Sequence, residues 1–207
     1  MMGLQAEHVR RYYERLAPSY DQRIGILERL FFAEGRRWAA AQAVGRTLEV
    51  AIGTGRNLPF YPESVRLTSI DVSPAMLRIS RQRAERLGRA VALVVCDMQA
   101  LSLPTGCFDT VVCTLSLCCV ADVGRAVAEM KRVLRPGGRL VLLDHVASDL
   151  TAVCIVQRLL EPIWQHFHAD SLLHRPLDQV NEQGFEVVCH ERSHWGIVER
   201  VLARKPA

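Results

Sequence analysis

The amino-acid sequence predicts an α/β fold in which a mostly parallel, doubly wound sheet is covered by helices on both faces. Between residues 45 and 145, apolar runs of strand length alternate with segments of helical character, which is typical of parallel βαβ units. The first run, residues 46–52, leads directly into a turn that contains Gly53 and Gly55. Such a turn indicates a nucleoside-binding site, because glycine lets the backbone bend sharply and approach a ligand closely.

Length and composition predict one globular domain. The chain has 207 residues, of which 49% are hydrophobic and 23% charged, enough for a sizeable core but too few for two full domains. We divide it into a helical lid (1–44), a cofactor-binding core (45–145) and a region of substrate-side helices and closing strands (146–207). The net charge of +4 comes with no nucleic-acid recognition motif, so we expect no nucleic-acid partner.

The cysteines and the hydropathy pattern predict a cytoplasmic protein. The count of seven cysteines is odd and no Cys-x-x-Cys pair occurs, which indicates a reducing compartment without disulfides or a structural zinc site. No apolar stretch approaches the roughly 20 residues that a membrane-spanning helix needs, and we expect no transmembrane segment. Peripheral membrane contact and the oligomeric state stay open.

Local signals predict where the elements begin and end. Ser73 is a suitable N-cap with Pro74 at the first helical position, and Gly88 ends that helix. Pro162 predicts a kink in a late helix. The predicted helices are 5–16, 24–44, 74–87, 122–134, 151–168 and 176–183, and the predicted strands are 46–52, 65–71, 91–95, 108–117, 139–144, 185–189 and 197–203.

Acidic residues mark three of the predicted strands. Asp71 ends the second strand, Asp97 follows the third, and Glu49 lies within the first. An acid at the end of the second strand can accept hydrogen bonds from a ribose diol. A dinucleotide site would need a third glycine at the position of Leu58, so the Gly-x-Gly-x-x-Gly motif is broken. The pattern therefore favours a different nucleoside cofactor.

The glycine motif and four later segments resemble those of the class I S-adenosylmethionine-dependent methyltransferases. Residues 49–57 match the family's Glu-x-Gly-x-Gly-x-Gly motif, with Ala51 and Asn57 in place of the outer glycines. The resemblance begins at about Tyr12 and implies a Rossmann-like sheet with a closing antiparallel strand, methyltransferase activity and S-adenosyl-L-methionine as cofactor. The later matching segments are residues 70–71, 96–98, 108–112 and 134–138.

The resemblance also implies roles for individual residues. Asp71 is expected at the ribose hydroxyls, and Asp97 and Met98 beside the adenine. We expect Glu49 to order the glycine turn or to bind the cofactor's amino group through water, and Asn57 to cap a helix after the turn. The expected cofactor-binding set is Tyr20, Glu49, Gly53, Thr54, Gly55, Asn57, Asp71, Val72, Met76, Asp97, Met98 and Leu115.

Different parts of the chain are similar to different groups of this superfamily. Residues 12–21 are similar to the lid helix of bacterial phospholipid N-methyltransferases and quinone C-methyltransferases, whereas residues 112–118, 144–146 and 160–166 look more like thiol S-methyltransferases. The animal thiol enzymes carry an N-terminal membrane anchor that is not seen here, which favours a small, soluble thiol as the methyl acceptor. The alternatives are N-methylation of phosphatidylethanolamine and C- or O-methylation of a quinone or other small metabolite.

Several side chains could deprotonate or orient the acceptor, since a thiol attacks as its thiolate. We predict His145, His166 and Tyr20 as catalytic residues: His145 follows the fifth strand, His166 lies on the late helix and Tyr20 belongs to the lid. A cysteine nucleophile is not expected, because direct methyl transfer needs none. No cluster of carboxylates indicates a metal ion, so we predict none. Further candidates are Asp144, His168, Tyr12 and Tyr13.

Overall fold

One seven-stranded sheet organises the chain. The computed structural model describes residues 4–167 and 169–207, apart from the side chains of residues 4, 5, 27, 166 and 167. The strands are β1 Arg46–Val50, β2 Arg66–Asp71, β3 Val91–Val95, β4 Phe108–Thr114, β5 Leu134–His145, β6 Glu186–Ser193 and β7 Val198–Arg204. Their order across the sheet is β3-β2-β1-β4-β5-β7-β6.

Helices precede the sheet, connect its strands and follow it. Short 3₁₀ segments at Ala17–Ser19, Leu58–Phe60 and Leu117–Cys119 join some of the elements. The α-helices are α1 Leu4–Leu16, α2 Tyr20–Phe31, α3 Ala33–Ala41, α4 Pro74–Arg86, α5 Val123–Val133, α6 Thr151–Phe167 and α7 Pro176–Glu182.

The strand directions confirm the predicted mostly parallel, doubly wound sheet. The first five strands are parallel to one another. β7 is inserted between β5 and β6 and is antiparallel to both, with Val201 opposite Leu142 on one side and His190 on the other. This inserted strand is the predicted antiparallel closing strand.

The two faces of the sheet carry separate cores. Val111 packs in a cluster with Met130 of α5, while the next residue, Val112, packs in a second cluster with Ala40 of α3 and Leu77 of α4. Successive strand residues point to opposite faces, so a strand that is apolar at both positions is covered on both sides. The apolar run of β4 has this pattern, and the prediction of helices on both faces is confirmed.

The structure corrects two predicted elements. The helix predicted for residues 24–44 is two helices, α2 and α3, because Phe32 has non-helical backbone angles (φ −122°, ψ −16°). The extension of the fourth strand to residue 117 is also wrong. β4 ends at Thr114, since Leu115 has the left-handed angle φ 54° and its N–H donates to the carbonyl of Leu143 at 2.7 Å.

The predicted helix signals after β2 are confirmed. The Ser73 hydroxyl accepts a hydrogen bond from the Met76 N–H at 3.3 Å, and Pro74 is the first residue of α4. Gly88 has φ 61° just after that helix, a conformation that glycine adopts without a steric cost. Later in the chain, α5 ends at Val133 and β5 begins directly at Leu134, five residues before the predicted start.

α6 is the longest helix among the described residues, and its outer surface carries large apolar side chains. Ile155, Val156, Leu159 and Ile163 are each more than half exposed. None of the helices in the described part of the chain combines the length and apolarity that crossing a membrane requires.

Candidate active site

A cavity opens at the carboxyl ends of the central strands. Its wall takes residues from the segments after β1, β2, β3 and β4 and from α1 and α2. β1 lies between β2 and β4, which is the point where the strand order reverses and where sheets of this kind bind ligands. Counting the space open to solvent at its mouth, the cavity has a volume of about 880 Å³, a size typical of small-molecule sites.

The two glycines after β1 do different things. Gly53 lies on the cavity wall with φ 57°, and a Cβ atom there would meet no atom within 4 Å. Gly55 has φ 80°, but its Cβ would lie 2.8 Å from Leu58 Cδ1 and 3.3 Å from Ser80 Cα. Gly53 therefore leaves room at the cavity, whereas Gly55 allows the turn to pack on α4. The predicted ligand contact of Gly55 is not supported, because Gly55 is away from the wall.

Asp71 holds the glycine turn against the end of β2. Its Oδ2 accepts a hydrogen bond from the Gly53 N–H at 2.8 Å, and its Oδ1 accepts one from the Ser73 N–H at 2.9 Å. Burial raises the pKa of Asp71 to about 6, although these backbone donors act in the opposite direction. A carboxylate oxygen has more than one lone pair, so each oxygen can accept a further hydrogen bond from a ligand hydroxyl.

The remaining predicted cofactor residues after the strands also lie on the wall. Asp97 uses Oδ1 to accept hydrogen bonds from the backbone and side chain of Gln99, at 2.9 and 3.3 Å. No described hydrogen bond involves its Oδ2. Leu115 reaches the wall from the strained left-handed turn after β4. The predicted residues on the wall are Tyr20, Gly53, Thr54, Asp71, Val72, Met76, Asp97, Met98 and Leu115.

Glu49 and Asn57 lie beneath the turn rather than on the wall. The Asn57 amide donates to Glu49 Oε1 at 2.8 Å and to Thr114 Oγ1 at 2.9 Å. Its Oδ1 accepts from Arg36 at 3.0 Å. The predicted capping role of the Asn57 side chain is wrong, because these contacts engage the amide and no side-chain cap bond is made to the 3₁₀ segment that follows. Burial raises the pKa of Glu49 to about 7.

Two arginines on the wall were missed by the sequence analysis. Arg36 pairs with Glu28 of α2, and Arg56 Nε lies 2.6 Å from the other oxygen of the same carboxylate. Glu28 is only 3% exposed. A buried carboxylate needs such partners, so lid helix, glycine turn and α3 form one connected network. Glu28 and Arg56 are 28 residues apart in the sequence, on different elements, and no local pattern reveals the connection.

Asp21 fastens the lid to the glycine turn. Its Oδ1 accepts from Thr54 Oγ1 at 2.8 Å and from Arg56 at 3.2 Å, and its Oδ2 pairs with Arg83 of α4. Asp21 belongs to the segment 12–21 that resembles the lid helix of related enzymes, but no sequence pattern indicates what Asp21 contacts.

Two tyrosines of the N-terminal helices, Tyr13 of α1 and Tyr20 of α2, lie on the cavity wall. The Tyr13 hydroxyl and the Cys119 thiol lie 3.0 Å apart, and both residues are on the wall. Tyr20 is also on the wall, with its ring centroid 6.3 Å from that of Tyr13. Burial raises the pKa of Tyr20 above its ordinary value, so it is a neutral phenol. It can orient a ligand but not act as a phenolate base.

Of the predicted catalytic histidines, only His145 has a described side chain, and it is not on the described wall. His145 lies behind it, with Nε2 3.5 Å from Asp170 Oδ2 and its ring edge-on to His174 at 5.3 Å between centroids. The side chain of His166 and the whole of His168 lie outside the described residues. Asp170 and His174 were not predicted, because each comes from the irregular segment after α6, where no periodicity constrains position.

Asp144 is buried between these histidines and the loop after β4. Its Oδ2 accepts from the Leu117 N–H at 3.0 Å, and its Oδ1 lies 3.5 Å from His174 Nε2. Burial alone would raise the pKa of Asp144, but His174 and His145 bring it below the ordinary value. Asp144 is therefore a fixed anion that holds the loop, and it is not a proton acceptor for a substrate.

Cys113 in β4 and Cys118 in the segment after it are buried thiols. Burial raises the pKa of Cys113 well above its usual range. The pKa of Cys118 is also raised well above its usual range, by its hydrogen bond with Cys119 and by burial. A thiol that stays protonated is a poor nucleophile. This agrees with the expectation that no enzyme cysteine attacks the methyl group.

Comparison with known proteins identifies the family. A family model described as a methyltransferase domain matches residues 48–142. Over 161 residues the chain is 36% identical to the phosphatidylethanolamine N-methyltransferase of Cereibacter sphaeroides, an alignment that covers 76% of this chain and 77% of the relative. The chain belongs to the class I S-adenosylmethionine-dependent methyltransferases. It is an enzyme of that family, and its cofactor is S-adenosyl-L-methionine.

Other similarities place the methyltransferase among relatives with different acceptors. It is 33% identical over 157 residues to the human thiol S-methyltransferase TMT1B, covering 73% of this chain and 64% of that protein's length. The crystal structure of the [4+2]-cyclase SpnF superposes with a TM-score of 0.78 at 19% identity, over 98% of this chain and 96% of that one. The last likeness shows the Rossmann-like fold alone, and fold does not determine the reaction.

The cavity of the methyltransferase has the groups that its cofactor needs. Asp71 and Asp97 offer carboxylate oxygens at the ends of β2 and β3, and Gly53 leaves open space beside them. Arg36 and Arg56 add positive charge to the wall near the turn. A nucleoside with hydroxyls, an adenine amino group and an amino-acid carboxylate matches these donors and acceptors.

Proposed function

We propose that this methyltransferase transfers the methyl group of S-adenosyl-L-methionine to the sulfur of a small thiol. The observation that carries the proposal is the composition of the cavity wall. Within the described residues its only carboxylates are Asp71 and Asp97, which stand at the strand ends that we assign to the cofactor. No acid is left to hold an ammonium group, so the wall favours an uncharged, soft acceptor.

The rest of the wall supports the same acceptor class. One group of wall residues combines apolar side chains with the Tyr13 hydroxyl and the Cys119 thiol. A thiol and its alkyl chain can be buried there at little cost, whereas an ammonium group would lose hydration without gaining a carboxylate partner. The residues concerned are Ala6, Val9, Tyr13, Cys119, Val120 and Ala121.

In this proposal the cofactor residues act by position. Asp71 accepts hydrogen bonds from the ribose hydroxyls, Asp97 accepts one from the adenine amino group, and Gly53 gives the methionine end room. Bound S-adenosyl-L-methionine supplies an electrophilic methyl group on a positively charged sulfur. The protein holds the acceptor in line with that group and excludes water.

The proton balance of the proposed reaction is simple. The acceptor's S–H bond breaks and its proton passes to solvent. A sulfur lone pair then forms the new bond to the methyl carbon while the bond from that carbon to the sulfonium sulfur breaks, and S-adenosylhomocysteine leaves with the electron pair. Tyr20 orients the acceptor as a neutral hydrogen-bonding phenol. His145 lies behind the wall next to Cys118, so we assign it a positioning role. His166 stays a prediction from the sequence. A reducing, cytoplasmic location is part of the proposal and is supported by seven free cysteines.

Radiolabelled S-adenosyl-L-methionine tests the acceptor. We expect methylation of small alkyl thiols by the wild-type protein, with no methylation of the corresponding alkyl amines or alcohols. The Asp71→Ala variant should lose this activity because it loses the ribose contact. The exposed-site variant Asp178→Ala should keep it. Methylation of an amine or a quinol, with every thiol inert, would refute the proposal.

Phospholipid methylation is the second candidate. It is favoured by the 36% identity to the phosphatidylethanolamine enzyme and by the exposed apolar residues Ile26 and Leu30 on α2, which could contact a lipid surface. Vesicles that contain phosphatidylethanolamine belong in the same assay. Labelled methyl groups in the lipid fraction would favour this function, and labelled thioether would favour the first. Methylation of a quinone is the remaining alternative.

A further inference from the structure

Three potential metal ligands converge behind the cavity wall. The ligand atoms of Cys118, His145 and Asp170 lie within 4.8 Å of one another. They come from the 3₁₀ segment after β4, the end of β5 and the segment after α6. The spacing of these residues along the chain matches no metal motif, so the sequence analysis predicted none.

We propose that Cys118, His145 and Asp170 bind a zinc ion whose fourth coordination position takes the thiolate of the methyl acceptor. The zinc site itself is independent of the acceptor's identity, and its thiolate-binding role rests on the proposed function.

The donor set fits zinc better than other common metal ions. Zinc accepts sulfur, nitrogen and oxygen ligands together, whereas magnesium and calcium prefer oxygen alone. A tetrahedral zinc ion holds its donors about 3.5 Å apart. Because the three ligand atoms lie within 4.8 Å of one another, zinc binding requires these distances to shorten by at most about 1.3 Å. Three protein ligands leave one position open, as in zinc sites that bind a substrate or water.

The surroundings of the site leave its donor atoms available. The Trp164 indole N–H donates to Asp170 Oδ1 at 2.8 Å, which orients the carboxylate and keeps Oδ2 for another partner. That oxygen is 3.5 Å from His145 Nε2. His145 Nδ1 is buried without a hydrogen-bond partner among the described residues. Buried imidazoles normally have such partners, so this ring has capacity for a ligand.

The proposed site adjoins the acceptor cavity. Cys119 is on the cavity wall, and its sulfur lies 3.5 Å from that of Cys118 and 3.0 Å from the Tyr13 hydroxyl. The Cys119 side chain therefore touches both the cavity and a proposed zinc ligand, so an acceptor thiol beside Cys119 would be about one side chain away from the ion. Zinc bound by these residues would lower the pKa of a coordinated acceptor thiol, whose proton would pass to solvent and leave a thiolate at neutral pH.

Zinc titration of chelator-treated protein against a chromophoric competitor tests the site. We expect one zinc ion per chain. The variants Cys118→Ser, His145→Gln and Asp170→Asn should each bind zinc at least about tenfold more weakly. Cys189→Ser, which changes a cysteine outside the cluster, should bind as the wild type does. Thermal unfolding of each variant separates a lost ligand from a lost fold.

Cobalt substitution gives a readout that does not depend on catalysis. Cobalt in the site should show a thiolate-to-metal absorption band that Cys118→Ser abolishes, and an added small alkyl thiol should change that spectrum. Absence of stoichiometric zinc binding, or equal zinc affinity in folded Cys118→Ser, would overturn the proposal. Thiol methylation by zinc-free protein would overturn the thiolate-binding role and leave the proposed function standing. Zinc binding by an enzyme that methylates only amines would support the zinc site but refute the proposed function, and the thiolate-binding role would be refuted with it.

Discussion

At the scale of single residues, the carboxyl group of Glu49 is the most unusual group near the cavity. It is 1% exposed, it accepts a hydrogen bond from Asn57, and burial raises its pKa to about 7. The folded state therefore keeps a proton that the unfolded chain releases near pH 4.5. Stability must fall as the pH rises through this window, because ionisation is easier in the unfolded chain.

Glu49→Gln should remove this pH dependence. Glutamine keeps the acceptor oxygen for Asn57 but does not ionise. Relative to wild type, the variant should gain about 3 kcal/mol in free energy of unfolding between pH 4.5 and pH 7.5. Urea unfolding across that range measures the difference. Glu63→Gln, at an exposed position, is the control, and a pH-independent difference for Glu49→Gln would show that Glu49 ionises normally.

At the scale of elements, the turn after β1 separates binding from packing. Gly53 borders open space in the cavity, and Gly55 abuts Ser80 and Leu58. Both have positive φ angles, so both resist a side chain. Of these two glycines, only Gly55 would bring an added methyl group into tight contact with the backbone of another element, 3.3 Å from Ser80 Cα.

Alanine at each glycine should therefore have a different effect. Gly55→Ala should cost about 2–5 kcal/mol of stability, from backbone strain and overlap with α4. Gly53→Ala should cost about 1 kcal/mol of stability from backbone strain but weaken binding of S-adenosylhomocysteine about tenfold, since its methyl group projects into the cavity. Urea unfolding and calorimetric titration measure the two effects. Equal losses of stability in both variants would contradict this division.

Local sequence signals predicted the helices and strands better than they predicted the contacts between them. Apolar runs predicted every strand of the sheet, and Ser73 and Gly88 marked the ends of α4, because these signals are local. Asp71 and Asp97 lie on one cavity wall because the carboxyl ends of parallel strands are at the same edge of the sheet. The pairing of Glu28 with Arg36 across the break at Phe32 left no periodic signal. The approach of His145 to Asp170 depends on how an irregular segment folds back, which no local pattern encodes.

At the scale of the whole molecule, the cavity lies between the sheet and the lid, so a bound ligand contacts both. A ligand that binds only the folded state stabilises it by mass action. S-adenosylhomocysteine at 100 times its Kd should add about 2.7 kcal/mol and raise the Tm by about 5–10 °C. Thermal unfolding with and without the ligand measures this shift.

The matched variants for that experiment are Asp71→Asn and Asp178→Asn. At the same ligand concentration, the first should show a much smaller shift, since an amide cannot replace both acceptor oxygens of the buried carboxylate. The second alters an exposed acid on α7 and should show the full shift. A full shift in Asp71→Asn would place the ribose elsewhere in the cavity.

The position of β7 between β5 and β6 has a consequence for the newly made chain. Residues 198–204 leave the ribosome after the other six strands of the sheet, yet they occupy an inner position in it. Until then β5 has an unpaired edge and β6 has no neighbour to hold it. An exposed strand edge invites pairing with another chain, so the edge of β5 is open to such pairing until residues 198–204 have emerged.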